Sequence, residues 1–416
     1  MMMKPLSCIN SSLDLFQQPT IDNSVELSEE VETLTVSGAL NDSSLEFVLT
    51  ADTNTYIDLG RSYLFLQLKV TKADGQDITE SVKLVPLFPH AIFSQVLLYL
   101  NGVQISENSS HYGYRAFITA LLSYPKSVKD EQLTVLSHWG GKTLSSASES
   151  EVDAYTPLFL DLAHQCKLIL SGVEIKIHFT RQNDKFSIIR TKSGDQENYR
   201  IHIMKASLFV AKVIPSSSIL LSHAKQLSTG NVTYFYEKTW VKAFNLSKGI
   251  HEITLPNIFQ GPLPVVIIIG LVKGANFHGD YEQNPFQFNH YNLSSIHLTV
   301  NSKQIPTKSI EVDFERKLCA RAYHSLFETA LNNSYDSYGL GISLDSYIKQ
   351  YPLYGFNVQP VLACASNECL MPPQTGNVNV CVAFKKELPD TVTMIVLGEF
   401  QSSFQIDAAR NIYAVS

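Results

Sequence analysis

Apolar residues fall at every second position over many short stretches of this chain. VEIKIHF (173–179) and VNVCVAF (378–384) are the clearest cases, and YLFLQLKV (63–70), IHIMKASLFVAKV (201–213) and TMIVLGEF (393–400) follow the same rule. A strand sends successive side chains to opposite faces, so each run has one face to bury. Val, Ile, Thr, Tyr and Phe supply most of these positions, as strands prefer. Asp74-Gly75, Asn101-Gly102, Ser171-Gly172 and Ser247-Lys248-Gly249 stand between the runs as turn signals. Many short strands joined by polar turns predict an all-β sandwich or barrel.

Helical spacing is rare. YRAFITALLSY (114–124) places Phe117, Ile118, Leu121 and Leu122 on one face and stops before Pro125. PSSSILLSHAKQLSTG (215–230) opens on serines suited to N-capping and closes on a glycine suited to a C-terminus. It lies near the chain midpoint, where a connector between two domains belongs. The longest apolar run, VVIIIGLV (265–272), is far shorter than a bilayer requires and predicts a buried strand.

The pattern also repeats. LLYLNGVQI (97–105) and IHLTVNSKQI (296–305) set Asn101 against Asn301, Gln104 against Gln304 and Ile105 against Ile305, an offset of 200. RAF at 115–117 returns as RAY at 321–323, and the V-x-I-x-I-x-F strand from Val173 returns from Val378. FLQLKV (65–70) has a counterpart in IIIGLV (267–272). Four matches in one order, at offsets from 200 to 206, predict a tandem duplication. The length of 416 residues agrees, since it exceeds what one hydrophobic core usually fills. Asn101, Gly102 and Asn301 are then structural turn residues of two equivalent hairpins.

Composition narrows the function. At 44% hydrophobic and 17% charged the chain has enough apolar residues for two cores, and so low a charge suits a surface partly covered by partners. The formal charge is −7 and no Lys/Arg run occurs, which argues against sequence-specific nucleic-acid binding. The densest charge run is acidic, ELSEEVE (26–32), and reads as a solvated segment. The first residues contain no apolar stretch of signal-peptide length, so an intracellular site of synthesis is expected.

The catalytic inventory is empty. GGKT (140–143) carries Leu136 where a P-loop needs its first glycine, and YGLGISLD (338–345) lacks the third glycine of a dinucleotide loop. Twelve histidines, among them His90, His111, His138, His278 and His324, are dispersed, without a metal-binding His pair. Six cysteines at 8, 166, 319, 364, 369 and 381 form no Cys-x-x-Cys and are expected reduced. Asp280 and Glu282 are the nearest approach to a glycosidase acid pair. No catalytic residue, cofactor or metal is expected.

Longer strings carry a resemblance. YIDLGRSYLFLQLKVTKADG (56–75), AIFSQVLLYLNGVQI (91–105), YGYRAFITALLSY (112–124), SGVEIKIHFTRQNDKF (171–186), LFVAKVIPSSSILLSHAKQL (208–227), NPFQFNHYNLSSIHLTVNSKQIP (284–306) and RAYHSLF (321–327) resemble the major capsid protein of Polinton (Maverick) elements and adintovirus-like viruses. The resemblance runs in order from about Tyr56 to Arg410; the first fifty residues and 332–351 carry no such string.

It implies a double jelly roll, two eight-stranded antiparallel sandwiches in tandem. It implies an N-terminal arm at 1–45, a first jelly roll at 46–214, the connector at 215–230 and a second jelly roll at 231–416. It further implies that three such chains form a pseudo-hexagonal homotrimer, which tiles an icosahedral shell around double-stranded DNA beside neighbouring capsomers. It implies too a separate single jelly-roll penton protein at the vertices, and a virion capsid assembled in the nucleus or cytoplasm of the host cell. The loops at 136–155 and 331–347 are candidates for the outward face. The rival readings are a sugar-binding or glycan-cleaving protein on paired jelly rolls, and a host-captured copy that no longer assembles.

Overall fold

Each alternating run of the sequence lies in a strand. The structure, a computed structural model, describes residues 21–36, 39–41, 43–50, 53–146, 149–192, 196–329, 339–359 and 372–415. The first half contributes β1 (Val25–Leu34), β2 (Ser44–Leu49), β3 (Tyr56–Lys72), β4 (Val82–Leu84), β5 (Phe93–Leu100), β6 (Val103–Gln104), β7 (Lys142–Leu144), β8 (Glu151–Pro157), β9 (Ile175–Arg181), β10 (Ile188–Arg190) and β11 (Tyr199–Pro215). The second contributes β12 (Val232–Leu246), β13 (Glu252–Pro262), β14 (Val266–Lys273), β15 (Leu293–Val300), β16 (Lys303–Glu311), β17 (Tyr354–Asn357), β18 (Thr375–Phe384), β19 (Val392–Ile406) and β20 (Ile412–Val415).

The sheets read β1-β11-β3-β8 and β2-β9-β5-β6 in the first half, and β12-β19-β14-β17 and β13-β18-β15-β16 in the second. One order is written twice, strand for strand, and among the described residues no sheet mixes the halves. Each half is an eight-stranded antiparallel jelly roll, so the fold is all-β with few short helices. A small sheet β10-β4-β7 and the added strand β20 lie outside this plan. Each sandwich fills with the inward face of its strands. Leu45 and Phe47 of β2 meet Ile177 and Phe179 of β9 and Leu98 of β5, all at 0% exposure, with the Phe47 and Phe179 rings edge to face at 5.9 Å. Val380 and Phe384 of β18 bury with Ile296 and Leu298 of β15 in the second half. Such burial is worth about 25 cal/mol per Å² of apolar area.

Strand pairing refines the repeat. The hairpins keep their offset of 200. Leu100 pairs with Ile175 and Val300 with Val378, so β9 and β18 correspond at 203 rather than 205. The match of 65–70 with 267–272 is out of phase. Leu64, Leu66 and Leu68 are the buried face of β3, and Tyr63 and Phe65 the outer one. In β14, Ile267 pairs with Gly398, where a Cβ would point at Phe259 of the opposite sheet. Ile268 pairs with Gly355, where a Cβ would point at the helix Ala320–Thr329. Directly opposed residues share a face, so Ile267 and Ile269 look inward and the offset must be odd. At 203, Leu64 falls on Ile267.

Both expected helices form, as Tyr112–Ser123 and Ser217–Leu227. The serine cap does not: Ser216 makes no capping bond with its side chain. Glu26 of β1 does the work instead, its Oε1 accepting from Ser217 N at 3.2 Å and Ser217 Oγ at 3.3 Å. A carboxylate there also suits the positive end of the helix dipole. The acidic run 26–32 is solvated, exposed at every position but Val31, and it is also part of β1, laddered along β11. Of the two loops proposed to face outward, 136–155 contains β7 and most of β8. The other reaches the helix Leu344–Lys349, capped by Ser343 Oγ, and its residues 331–338 lie outside the described ones.

Candidate functional site

The repeated hairpins turn on Asn101-Gly102 and Asn301-Ser302, all four with positive φ (45°, 79°, 47° and 67°). Two consecutive left-handed residues make the turn whose twist matches the flanking strands, and Gly102 adopts that conformation without a Cβ clash. Asn101 N donates to Glu174 O at 2.9 Å and its Oδ1 accepts from Glu174 N at 2.7 Å. Asn301 makes the same pair of bonds with Asn377, at 3.2 and 3.1 Å. The first turn also reaches the other half: Asn101 Nδ2 donates to Arg410 O at 2.7 Å, and Arg410 Nε to Ser171 O at 2.7 Å.

Those bonds belong to a seam. β12 ends its sheet, and its outer edge lies on the first half rather than on another strand. Tyr234 OH donates to Leu168 O at 2.9 Å and accepts from Leu170 N at 3.2 Å. Lys238 pairs with Glu107 at 2.8 Å, Thr239 N donates to Asp161 Oδ1 at 3.0 Å, and Ser109 Oγ donates to Val241 O at 3.0 Å. Rings seal the rest. Phe117 of the helix Tyr112–Ser123 stacks on Phe286 at 4.6 Å, and Tyr114 OH donates to Pro285 O at 3.1 Å.

Ionisable groups are buried in and beside this seam. Arg115 NH2 meets Asp161 Oδ1 at 2.6 Å, while Asp161 Oδ2 is buried without a partner. Burial raises the Asp161 carboxyl above the usual carboxylate range, with Arg115 and the Thr239 N–H pulling the other way. Glu399 pairs with Thr239 across β12 and β19, and burial, reinforced by Glu237, pushes its carboxyl up to about 8. His90 is neutral in the first core. Burial lowers it to about 3, and its ring nitrogens lie 2.9 Å from Tyr112 OH and 2.6 Å from Thr156 Oγ1.

This arrangement joins surfaces. Asp161 and Glu399 are 2% and 7% exposed and lie closed off from solvent. Asp280 is spent on a turn, accepting from Glu282 N at 3.1 Å. The GGKT stretch leads into β7, not into a helix. Among the described residues no group of three or more His, Cys, Asp or Glu is placed to hold a metal ion, and no helix is long and apolar enough to cross a membrane. Cys8, Cys364 and Cys369 lie outside the described residues. A cavity of about 670 Å³ beside the helix Ser217–Leu227 has Val25, Tyr56, Leu168, Val213, His223 and Tyr234 among its lining residues, with Tyr56 OH 2.8 Å from His223 Nδ1.

Sequence reading missed both the seam and its counterpart, the edge of β1 that no described strand pairs. Asp161 and Thr239 are 78 residues apart and sit in no motif. β1 is exposed at every position but Val31 and Thr33, so it has no buried face to write a period of two.

No protein-family model matches the chain. An uncharacterised protein of Caenorhabditis elegans, F54H12.2, is 25% identical over 388 residues, which cover 88% of this chain and 92% of that protein. A chain of the Sputnik virophage structure superposes with a TM-score of 0.66 at 12% identity, over 99% of this chain and 93% of that one. The Faustovirus major capsid protein follows with a TM-score of 0.61 at 9% identity over 99% and 93%. The mavirus major capsid protein gives 0.52 at 9% over 100% and 96%. At such identities these likenesses speak for the fold alone: this chain has the double jelly-roll fold of viral major capsid proteins.

Proposed function

We propose that the chain is a structural major capsid protein, without enzymatic activity, that closes into trimeric pseudo-hexagonal capsomers. One observation carries the reading. Two jelly rolls of identical strand order stand in one chain, and their whole length superposes on the Faustovirus and mavirus major capsid proteins. Three such chains present six similar modules in a ring, a shape that tiles the faces of an icosahedral shell. Neighbouring capsomers, a single jelly-roll penton protein at the vertices and packaged double-stranded DNA are the partners this reading assigns. The virion capsid is then its place, after assembly in the host nucleus or cytoplasm. The N-terminal arm, the connector at 215–230 and the two jelly rolls at 46–214 and 231–416 are its working parts, with Asn101, Gly102 and Asn301 as turn residues only.

The nematode relative supports a Polinton (Maverick) or adintovirus-like lineage, because such elements reside in animal genomes. The same observation favours a second reading, a host-captured copy that keeps the fold without assembling. Light scattering on the purified chain separates the two. Three copies of 46.4 kDa give about 139 kDa, with near-hexagonal particles in negative stain. A monomer of 46.4 kDa that persists at every concentration would favour the captured copy.

A further inference from the structure

The two halves are equivalent strand for strand, but their edges are not equally covered. β12 is sealed by the first half of its own chain, through the corner at 105–109 and the segment around Asp161. Its counterpart β1 also ends its sheet, and among the described residues no strand pairs its outer edge. Five of the twelve large apolar residues exposed among the described ones crowd here: Ile21, Val25, Leu27, Leu34 and Val36, at 48–83% exposure. Beside them the outer face of the same sheet shows a half-buried ring cluster, in which Tyr155 stacks on Tyr63 at 4.8 Å and lies 5.5 Å from Phe209. An open strand edge flanked by apolar side chains invites uncontrolled pairing unless something specific covers it.

We propose that this edge is the seam on which a second copy of the chain closes, received by that copy's corner at 312–319, between β16 and the helix Ala320–Thr329. The inference rests on the trimeric reading above and adds which surfaces meet. The corner at 312–319 is the counterpart of the one at 105–111, between β6 and the helix Tyr112–Ser123, which receives β12 within the chain. Repeating that contact from copy to copy gives a head-to-tail ring, the arrangement that closes when its rotation divides the circle.

Charge supplies the direction. Within the chain the strand carries the cation, Lys238, and the corner the anion, Glu107. Between copies the signs are exchanged. β1 carries Glu26, Glu29, Glu30 and Glu32 and no cation. The receiving corner and helix start expose Arg316, Lys317 and Arg321; the acids beside them, Asp313 and Glu315, are met by Lys385 and Lys386, and Lys317 meets Asp345, which leaves the patch net basic. An acidic strand is thereby rejected by the acidic corner of a first half and accepted by the basic corner of a second, which fixes the order of modules around the ring.

The test is light scattering across a dilution series, with circular dichroism to follow folding. Val25→Asp with Leu27→Asp alters side chains that are each 48% exposed, so the subunit should stay folded while the concentration for half-association rises at least tenfold. Val135→Asp, at a residue 72% exposed elsewhere, should leave association unchanged. Glu29→Lys should weaken the trimer, and adding Arg316→Glu should recover part of the loss. A wild-type chain that never associates removes the trimeric reading and this seam together. A wild-type trimer that the β1 variants leave intact overturns the seam alone. Should a variant lose its fold, carbodiimide coupling of mixed ¹⁴N- and ¹⁵N-labelled wild-type copies decides. Links between copies joining 26–32 to Lys308 or Lys317 support the seam, and links between copies that avoid both stretches overturn it.

Discussion

Asp161 accepts the backbone N–H of Thr239 at 3.0 Å, and the same Oδ1 accepts Arg115 NH2 at 2.6 Å. One carboxylate oxygen thus ties a short 3₁₀ turn, a helix of the first jelly roll and the edge of the second. Removing it by Asp161→Ala leaves a guanidinium and a strand N–H buried without their acceptor, a loss of about 3–5 kcal/mol. The urea midpoint should fall clearly while Asp161→Asn, which keeps an acceptor for Thr239, falls less. Equal losses would mean that the charge, not the strand contact, carries the effect.

Buried titrating groups set opposite slopes of stability with pH. Glu399 holds its proton in the fold up to about 8, whereas in the unfolded chain it ionises near 4.5. Between these values the folded state binds more protons, so stability falls as pH rises through the window and the loss is complete above it. Glu399→Gln should flatten that slope and stabilise the protein at pH 8 by on the order of 2–4 kcal/mol. His90 works in the other direction. Its folded value is about 3 against 6.5 unfolded, so stability falls as the pH drops from 6.5 toward 3. Denaturant midpoints measured from pH 4 to pH 9 on the wild type and on Glu399→Gln check both arms.

The two hairpins offer a controlled comparison, because they share a turn but not its second residue. Gly102 adopts φ 79° without cost from a Cβ, whereas Ser302 holds φ 67° with one. A non-glycine residue in this region costs roughly 1–2 kcal/mol. Ser302→Gly should therefore raise the melting temperature and Gly102→Ser lower it. A fall with Ser302→Gly would show that the serine side chain offsets its own strain.

What could be read from the sequence follows from where burial writes a pattern. β9 and β18 each bury one face, and their alternation showed both the strand and the duplication. β14 buries both faces, so VVIIIGLV has no phase, and the match drawn from it was off by one residue. β1 buries almost nothing, so its glutamates read as the solvated segment they are while the strand that carries them left no pattern. Asn101 and Asn301 were legible because a turn needs particular residues at particular positions. The seam was not: Asp161, Thr239 and Glu399 meet only after both jelly rolls have folded, and contacts of that range leave no local spacing.

Gly355 of β17 lies where the helix Ala320–Thr329 crosses the sheet. A Cβ at this position would run into Thr329 Oγ1 and stand 2.8 Å from Ser325 O. The hydroxyl can be removed by substitution, but the carbonyl belongs to the helix backbone, and Thr329 Oγ1 itself bonds back to Ser325 O at 3.1 Å. Gly355→Ala must therefore push the helix away from β17, at a cost typical of overpacking, about 1–3 kcal/mol. Thr329→Ala in the same chain should return only part of that stability, since the backbone clash persists. The displaced helix begins directly after the corner at 312–319. A chain that remains folded but associates more weakly would connect the packing of one glycine to assembly, while full recovery by Thr329→Ala would confine the effect to a side-chain clash.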